Sequence, residues 1–169
     1  MKIYNFSAGP ACLPEPVLAA AGEVSKQYQD TGMSLMEMSH RSIPVVELFE
    51  DTTERIKGLL AIPSNYHVLW LQGGASTQFS MVPLNVLPVG SSADYIETGS
   101  WSTKAIAECN KVGKAHLIGS SKDVTFTFIP KDCEQNTDSS YLHITSNNTI
   151  YGTQFKVFPK VENPNGFLV

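Results

Sequence analysis

The sequence predicts an α/β fold in which a mostly parallel β-sheet is flanked by helices. From residue 66 onward, short apolar runs alternate with stretches of helical character, and this alternation is typical of a parallel sheet. The chain has 169 residues, of which 42% are hydrophobic and 17% charged. That composition is ample for a buried core and excludes intrinsic disorder.

Two amphipathic helices are predicted before the sheet, over residues 14–31 and 44–61. Each carries a proline near its start, and Gly32 directly follows the first, as is usual at helix ends. Apolar residues recur at helical spacing in both segments. In the first helix this apolar face comprises Val17, Leu18, Ala21, Val24 and Tyr28. The connection between the helices is long and mixed in composition, and such connections often carry functional residues.

Four apolar runs are predicted to form buried strands. They cover residues 66–72, 93–99, 114–120 and 141–147. Helices are predicted after the first two runs, over residues 76–87 and 101–112. The remaining segments are more polar: 124–130 is predicted to be extended, 131–138 a short helix or turn, and 154–165 a loop.

The last three residues, 167–169, are apolar and resemble the start of a core strand. A flexible tail and a docked terminal strand are two interpretations of this end. A third interpretation, which we favour, is that the sequence is the amino-terminal portion of a longer chain.

Charge and residue usage argue against several classes of function. The net charge is −4, and no block of five like charges indicates a nucleic-acid or anionic-membrane partner. No apolar run approaches the ~18 residues of a membrane span. The three cysteines and four histidines form no metal-ligand spacing, so no metal is expected. A cytoplasmic location is the default expectation.

The most specific segment is the sequence LQGGASTQF at residues 71–79. It follows a predicted strand and opens a predicted helix, at the sheet edge where α/β proteins bind ligands. Glycines allow close backbone approach, and the free N–H groups of a first helical turn favour a phosphate. The alternative is an ordinary strand–helix turn with a Ser/Thr cap.

Three further segments could carry chemistry. Trp101 lies just past the second predicted strand, where a core position is the commoner role and stacking on a flat ring the rarer one. Arg41, beside His40, could bind a carboxylate or phosphate, although most arginines are simply exposed. Polar residues 146–149 follow another predicted strand and could hydrogen-bond a ligand.

Taken together and in this order, these segments resemble the amino-terminal half of the phosphoserine aminotransferase family, pyridoxal-phosphate enzymes of the aspartate-aminotransferase fold type. The resemblance extends from residue 3 to residue 169. It is carried by the motifs NFSAGP (5–10), MEMSHR (36–41), PSNY (63–66), QGGAS (72–76), VPLN (82–85), ADY (93–95) and NTIYG (148–152).

The resemblance implies roles for matched positions. Ala75 and Ser76 correspond to the pair that binds the phosphate of pyridoxal 5'-phosphate. Trp101 corresponds to the ring that stacks on the pyridine, and Thr149 to the threonine near the cofactor's phenolic oxygen. The substrate carboxylate would be bound by Arg41, with His40 beside it.

The implied reaction transfers an amino group between glutamate and 3-phosphohydroxypyruvate, giving phosphoserine and 2-oxoglutarate in serine biosynthesis. The lysine that carries the cofactor and the aspartate that pairs with the pyridine nitrogen would both lie beyond residue 169, so residues 1–169 alone are expected to be inactive. The implied organisation is an amino-terminal arm (1–15) and an incomplete large domain (16–169) of a homodimer. A non-catalytic module that binds a phosphate ligand is the alternative, and a related enzyme acting on another amino acid is a weaker one.

Overall fold

The computed structural model describes residues 3–169, and the chain divides into two compact units between Trp70 and Leu71. The division into an arm of residues 1–15 and a domain of residues 16–169 stays a prediction, and the first two residues of that arm lie outside the described residues.

The first unit contains the two helices that the sequence predicts. Helix α1 spans Glu15–Lys26 and helix α2 spans Ile43–Leu60. Helix α1 ends earlier than predicted because Gln27 is extended, with φ −153° and ψ 133°. Between the helices, a short 3₁₀ turn at Leu35–Glu37 is closed at its start by a reciprocal Ser34–Glu37 capping box.

The prediction of a strand over residues 66–72 is wrong. A strand requires a neighbouring backbone to complete its hydrogen bonds, and no segment within residues 3–169 pairs with this one. Its side chains are correspondingly open, with Tyr66 61% and Leu69 71% exposed. Within the same unit, Trp70 packs against Phe49, and its indole N–H donates to Thr53 Oγ1 at 2.9 Å.

The second unit confirms the α/β class and the parallel sheet. Its four-stranded sheet consists of β1 (Ser92–Glu97), β2 (Lys114–Ser120), β3 (Tyr141–His143) and β6 (Phe167–Leu168). The strands lie in the order β2-β1-β3-β6, and each neighbouring pair is parallel. Helices α3 (Gly74–Val86) and α4 (Ser100–Cys109) precede and follow β1. Residues 167–168 therefore form a sheet strand, as their apolar character predicts.

One face of the sheet packs against α3 and α4. The buried residues of this face are Leu87, Ala93, Tyr95, Ala105, Cys109 and Tyr141. The hydroxyls of Tyr95 and Tyr141 lie 2.8 Å apart in this core, and burial raises the pKa of both. Strand alternation places Ala93 and Tyr95 on this side because successive side chains point to opposite faces.

Irregular segments cover the opposite face of the sheet, around Ile96, Leu142 and Ile144. The segments 129–135 and 154–162 enclose an 880 Å³ cavity there. The buried Asp94 carboxylate anchors a neighbouring loop by accepting hydrogen bonds from Asn136 and Ser139 at 2.6–2.7 Å.

Two local features differ from the sequence expectation. The extended segment predicted over residues 124–130 is wrong: a 3₁₀ turn at Lys122–Val124 runs into Thr125 and Phe126, which both have φ of 57°. This left-handed pair reverses the chain and buries Phe126. A small antiparallel hairpin was not predicted, because its strands β4 (Asn147–Asn148) and β5 (Thr153–Gln154) are too short for a periodic signal.

Candidate functional site

A cavity of about 330 Å³ lies in the second unit, past the carboxyl ends of β1 and β3. This is the edge at which open α/β sheets bind ligands. Three segments form its wall: the start of α3, the first turn of α4, and the residues after β3. The lining residues are Gly73, Gly74, Ala75, Ser76, Phe79, Trp101, Thr145 and Asn147.

Two glycines shape the entry to α3. Gly73 has φ +88° and Gly74 has φ +60°, a region that other L-residues seldom adopt. A Cβ built on Gly73 would overlap the side chain of Thr77. Thr77 needs that space because its hydroxyl donates to the Gly73 carbonyl at 2.9 Å. Gly73 is therefore required by both its backbone conformation and a close contact.

The amino terminus of α3 presents unsatisfied hydrogen-bond donors to the cavity. No side chain caps this helix, and its first turn holds no acidic residue that would repel an anion. Ala75 and Ser76, in that turn, are exposed and line the cavity. Free N–H groups and the positive end of the helix dipole favour a phosphate, with the dipole contributing about 0.3–2 kcal/mol.

Trp101 forms the facing wall from the first turn of α4. Its indole N–H donates to Thr149 Oγ1 at 3.0 Å, and the ammonium of Lys104 lies 4.5 Å from its ring centroid. Lys104 does not line the cavity. The tryptophan is only partly buried, and it lines the cavity.

Helix α4 is fixed firmly at the end that carries Trp101. The buried Ser102 hydroxyl accepts from the N–H groups of Thr98 and Gly99 at 2.8 and 3.0 Å. The buried carboxylate of Glu97 accepts from Thr103 on the helix and from Ser120 at the end of β2. These bonds tie the helix start to two strands of the sheet.

The residues present fit a phosphorylated aromatic group. The helix terminus supplies donors for the phosphate, and the indole supplies a surface on which an aromatic ring can stack. The buried hydroxyl of Thr145, in the cavity wall, has no hydrogen-bond partner among the described residues. An unpaired buried hydroxyl is costly, which favours a polar ligand beside it.

The structure brings together four of the six predicted site residues. Ala75, Ser76 and Trp101 line the same cavity, and Thr149 is hydrogen-bonded to Trp101. The other two predicted residues, Arg41 and His40, are exposed in the first unit, directly after its 3₁₀ turn.

Three lining residues received no individual role in the sequence analysis: Phe79, Thr145 and Asn147. Phe79 and Asn147 lie in segments that the sequence singled out, at residues 71–79 and 146–149. Thr145 lies outside them and could have been found from strand alternation, since residues 141, 143 and 145 share one face.

A buried histidine precedes this wall on β3. His143 stacks on Tyr95 with ring centroids 4.7 Å apart and an interplanar angle of 20°. Burial lowers the pKa of His143 to about 4, so the imidazole is neutral at physiological pH. Its Nδ1 has no partner within residues 3–169.

Two further findings concern metals and membranes. Among the described residues, no three His, Cys, Asp or Glu side chains come together as metal ligands. None of the helices in residues 3–169 has the length and hydropathy needed to cross a bilayer.

Comparison with known proteins identifies related sequences and structures. The sequence profile of the family described as aminotransferase class-V matches residues 3–163. The phosphoserine aminotransferase of Desulfatibacillum aliphaticivorans is 48% identical over 163 residues, which cover 96% of this chain and 45% of that protein. The chain thus spans less than half the length of the curated relatives it matches.

Solved structures show the same similarity. The phosphoserine aminotransferase from Bacillus circulans subsp. alkalophilus superposes with a TM-score of 0.90 at 44% identity, over 99% of this chain and 46% of that one. The pyridoxal-phosphate-bound phosphoserine aminotransferase from Trichomonas vaginalis superposes with a TM-score of 0.88 at 34% identity, over 99% of this chain and 47% of that one.

Proposed function

The chain belongs to the class-V aminotransferase family, and from this premise we propose that it forms part of a phosphoserine aminotransferase. The reaction would be the reversible transfer of an amino group between glutamate and 3-phosphohydroxypyruvate, in serine biosynthesis. The observation that carries the proposal is the cavity in which the uncapped start of α3 faces Trp101. That arrangement suits a phosphate at one end and a planar ring at the other.

Four residues would hold pyridoxal 5'-phosphate. The backbone N–H groups of Ala75 and Ser76, with the Ser76 hydroxyl, would bind its phosphate. Trp101 would stack on its ring, and Thr149 would place a hydroxyl near the phenolic oxygen. When bound, this cofactor supplies an electron sink that stabilises negative charge on the substrate carbon.

The chain's own contribution to the chemistry would be binding and orientation. The absence of a side chain at Gly73 makes room for Thr77, whose hydroxyl bonds to the Gly73 carbonyl at the start of α3. The Thr149–Trp101 hydrogen bond holds the indole in one orientation, so that the stacked ring lies in a defined plane. Orienting a reacting group in this way converts binding energy into rate.

Arg41, with His40 beside it, would bind the substrate carboxylate. A guanidinium presents paired donors that match the two oxygens of a carboxylate, which a lysine cannot reproduce. Both residues are exposed and so open to a small-molecule ligand.

The test is amino transfer by the purified protein in its native length. We expect phosphoserine to be a far better amino donor to 2-oxoglutarate than alanine or serine, because a site that binds the substrate phosphate favours phosphoserine over these two amino acids. Equal turnover of all three would contradict the proposed substrate. Saturable binding of the phosphorylated cofactor without any turnover would instead support the non-catalytic binding module.

The proposal includes a cytoplasmic homodimer. The cysteines at positions 12, 109 and 133 are free, which suits a reducing compartment. Large apolar side chains near the amino terminus are open, with Ile3 86% and Phe6 94% exposed, and such groups usually contact another surface. Sedimentation of the native-length protein tests the dimer: a single species at the monomer mass would contradict it.

A further inference from the structure

A buried asparagine lies directly beside the predicted cofactor residue Thr149. Asn148 is the second residue of β4 and is 0% exposed. Its amide Nδ2 donates to Thr98 Oγ1 at 2.8 Å, across a separation of 50 residues in sequence. The side chain therefore joins the small hairpin to the turn that follows β1.

Gly99 leaves the space that this asparagine fills. A Cβ built on Gly99 would overlap the Asn148 side chain, and all three of its nearest atoms belong to that residue. The φ of Gly99 is 162°, which is extended backbone open to any residue. The glycine is thus required by the close approach of Asn148 and not by its own conformation.

The same turn binds the second strand of the hairpin and the start of α4. Thr153, the register partner of Asn148, donates its hydroxyl to the Thr98 carbonyl. The N–H groups of Thr98 and Gly99 in turn donate to Ser102 on α4. One two-residue turn therefore fixes both the hairpin that carries Thr149 and the helix that carries Trp101.

We propose that Asn148 is a positioning residue: by binding Thr98 and packing on Gly99, it holds Thr149 where it can accept the indole N–H of Trp101. Thr149 itself is exposed, whereas Asn148, next to it in the chain, is fully buried. The effect of Asn148 on the stacking of a cofactor ring rests on the proposed function. The contacts that link Asn148, Thr149 and Trp101 do not depend on that function.

The first experiment measures the indole N–H resonance of Trp101 by ¹H–¹⁵N NMR in the purified protein. The indole of Trp70, bonded to Thr53, is the internal reference. Thr149→Val removes the acceptor of the Trp101 indole N–H directly. We expect Asn148→Ala to shift the Trp101 signal in the same direction as Thr149→Val does. Asn148→Ala should also speed the exchange of the Trp101 indole proton with solvent about tenfold, and it should leave the Trp70 signal unchanged.

A second variant and a matched control keep the result interpretable. Thr98→Val is nearly isosteric and removes the partner of Asn148, so it should move the same resonance even if Asn148→Ala fails to fold. Ser139→Ala removes another buried hydrogen bond, to Asp94, and should leave the Trp101 signal in place. An unshifted Trp101 signal in a folded Asn148 or Thr98 variant would overturn the proposal.

The second experiment measures binding of 4'-deoxypyridoxine 5'-phosphate, which carries the ring and phosphate without the aldehyde. We expect about tenfold weaker binding for Asn148→Ala, as for loss of one net hydrogen bond, and no change for Ser139→Ala. Wild-type protein that fails to bind this probe would contradict the proposed function alone. Unchanged affinity in a folded Asn148→Ala protein would overturn the positioning role.

Discussion

Replacing Gly73 with alanine should distort the start of α3, where Ala75 and Ser76 line the cavity. Alanine at φ +88° costs about 1–2 kcal/mol, since the left-handed region brings Cβ too close to the following carbonyl. The new Cβ also overlaps Thr77, whose bond to the Gly73 carbonyl would break at a further cost of about 1 kcal/mol. The expected loss of stability is therefore about 2–3 kcal/mol.

Gly74→Ala provides the matched control for this prediction. Gly74 also has positive φ, at +60°, but no atom lies within 4 Å of a Cβ built there. The Gly74→Ala variant should lose only the stability that the strained backbone conformation costs, about 1–2 kcal/mol. Displacing Thr77 distorts the first turn of α3, so Gly73→Ala should also weaken binding of 4'-deoxypyridoxine 5'-phosphate at least tenfold more than Gly74→Ala does.

Urea unfolding and fluorescence titration measure these two quantities. The comparison is informative because the two substitutions share the same chemistry and differ in the contact with Thr77. Equal losses of stability and of affinity in the two variants would refute the close-approach reasoning and leave backbone conformation as the sole role of Gly73.

Three other perturbations follow from the geometry. Because the pKa of His143 is lowered from 6.5 to about 4 in the fold, the unfolded chain alone takes up a proton as the pH falls between these values. Stability is therefore full above pH 6.5 and should fall by about 3 kcal/mol by pH 4, and His143→Phe should flatten this loss in urea titrations at stepped pH. Asp94→Ala should cost about 3 kcal/mol or more, because it removes the acceptor of three short hydrogen bonds, while probe affinity stays unchanged in calorimetric titration. Trp101→Phe should weaken the same probe about tenfold through the lost indole bond and smaller ring, with little change in thermal stability.

The sequence predicted the parallel sheet because it depends on local order, and it singled out the segment at Gly73–Ser76 by its glycines and its place before a predicted helix. Alternating apolar runs and helices dictate a parallel sheet, and the carboxyl ends of parallel strands meet at one edge. The segment at Gly73–Ser76 starts α3, and Trp101 lies in the first turn of α4. The strand predicted before Gly73 is absent from the described residues, so the meeting of the two segments in one cavity depends on the packing of α3 against the sheet.

What the sequence could not predict depends on contacts between distant segments. Residues 66–72 have the composition of a strand, but strand formation requires a partner that composition does not reveal. The link between Asn148 and Thr98 spans 50 residues and joins two side chains that carry no motif of their own. The left-handed pair at Thr125 and Phe126 runs against the local preference of both residues and accompanies burial of the Phe126 ring.

We propose that the start of α3 and Trp101 together bind a phosphorylated aromatic ring. A ¹H–¹⁵N NMR titration with 4'-deoxypyridoxine 5'-phosphate observes both groups at once. We predict saturable shifts of the backbone amides of Ala75 and Ser76 and of the Trp101 indole, with one common affinity. Shifts confined to the segments 129–135 and 154–162, which line the other cavity, would contradict the assignment of the site.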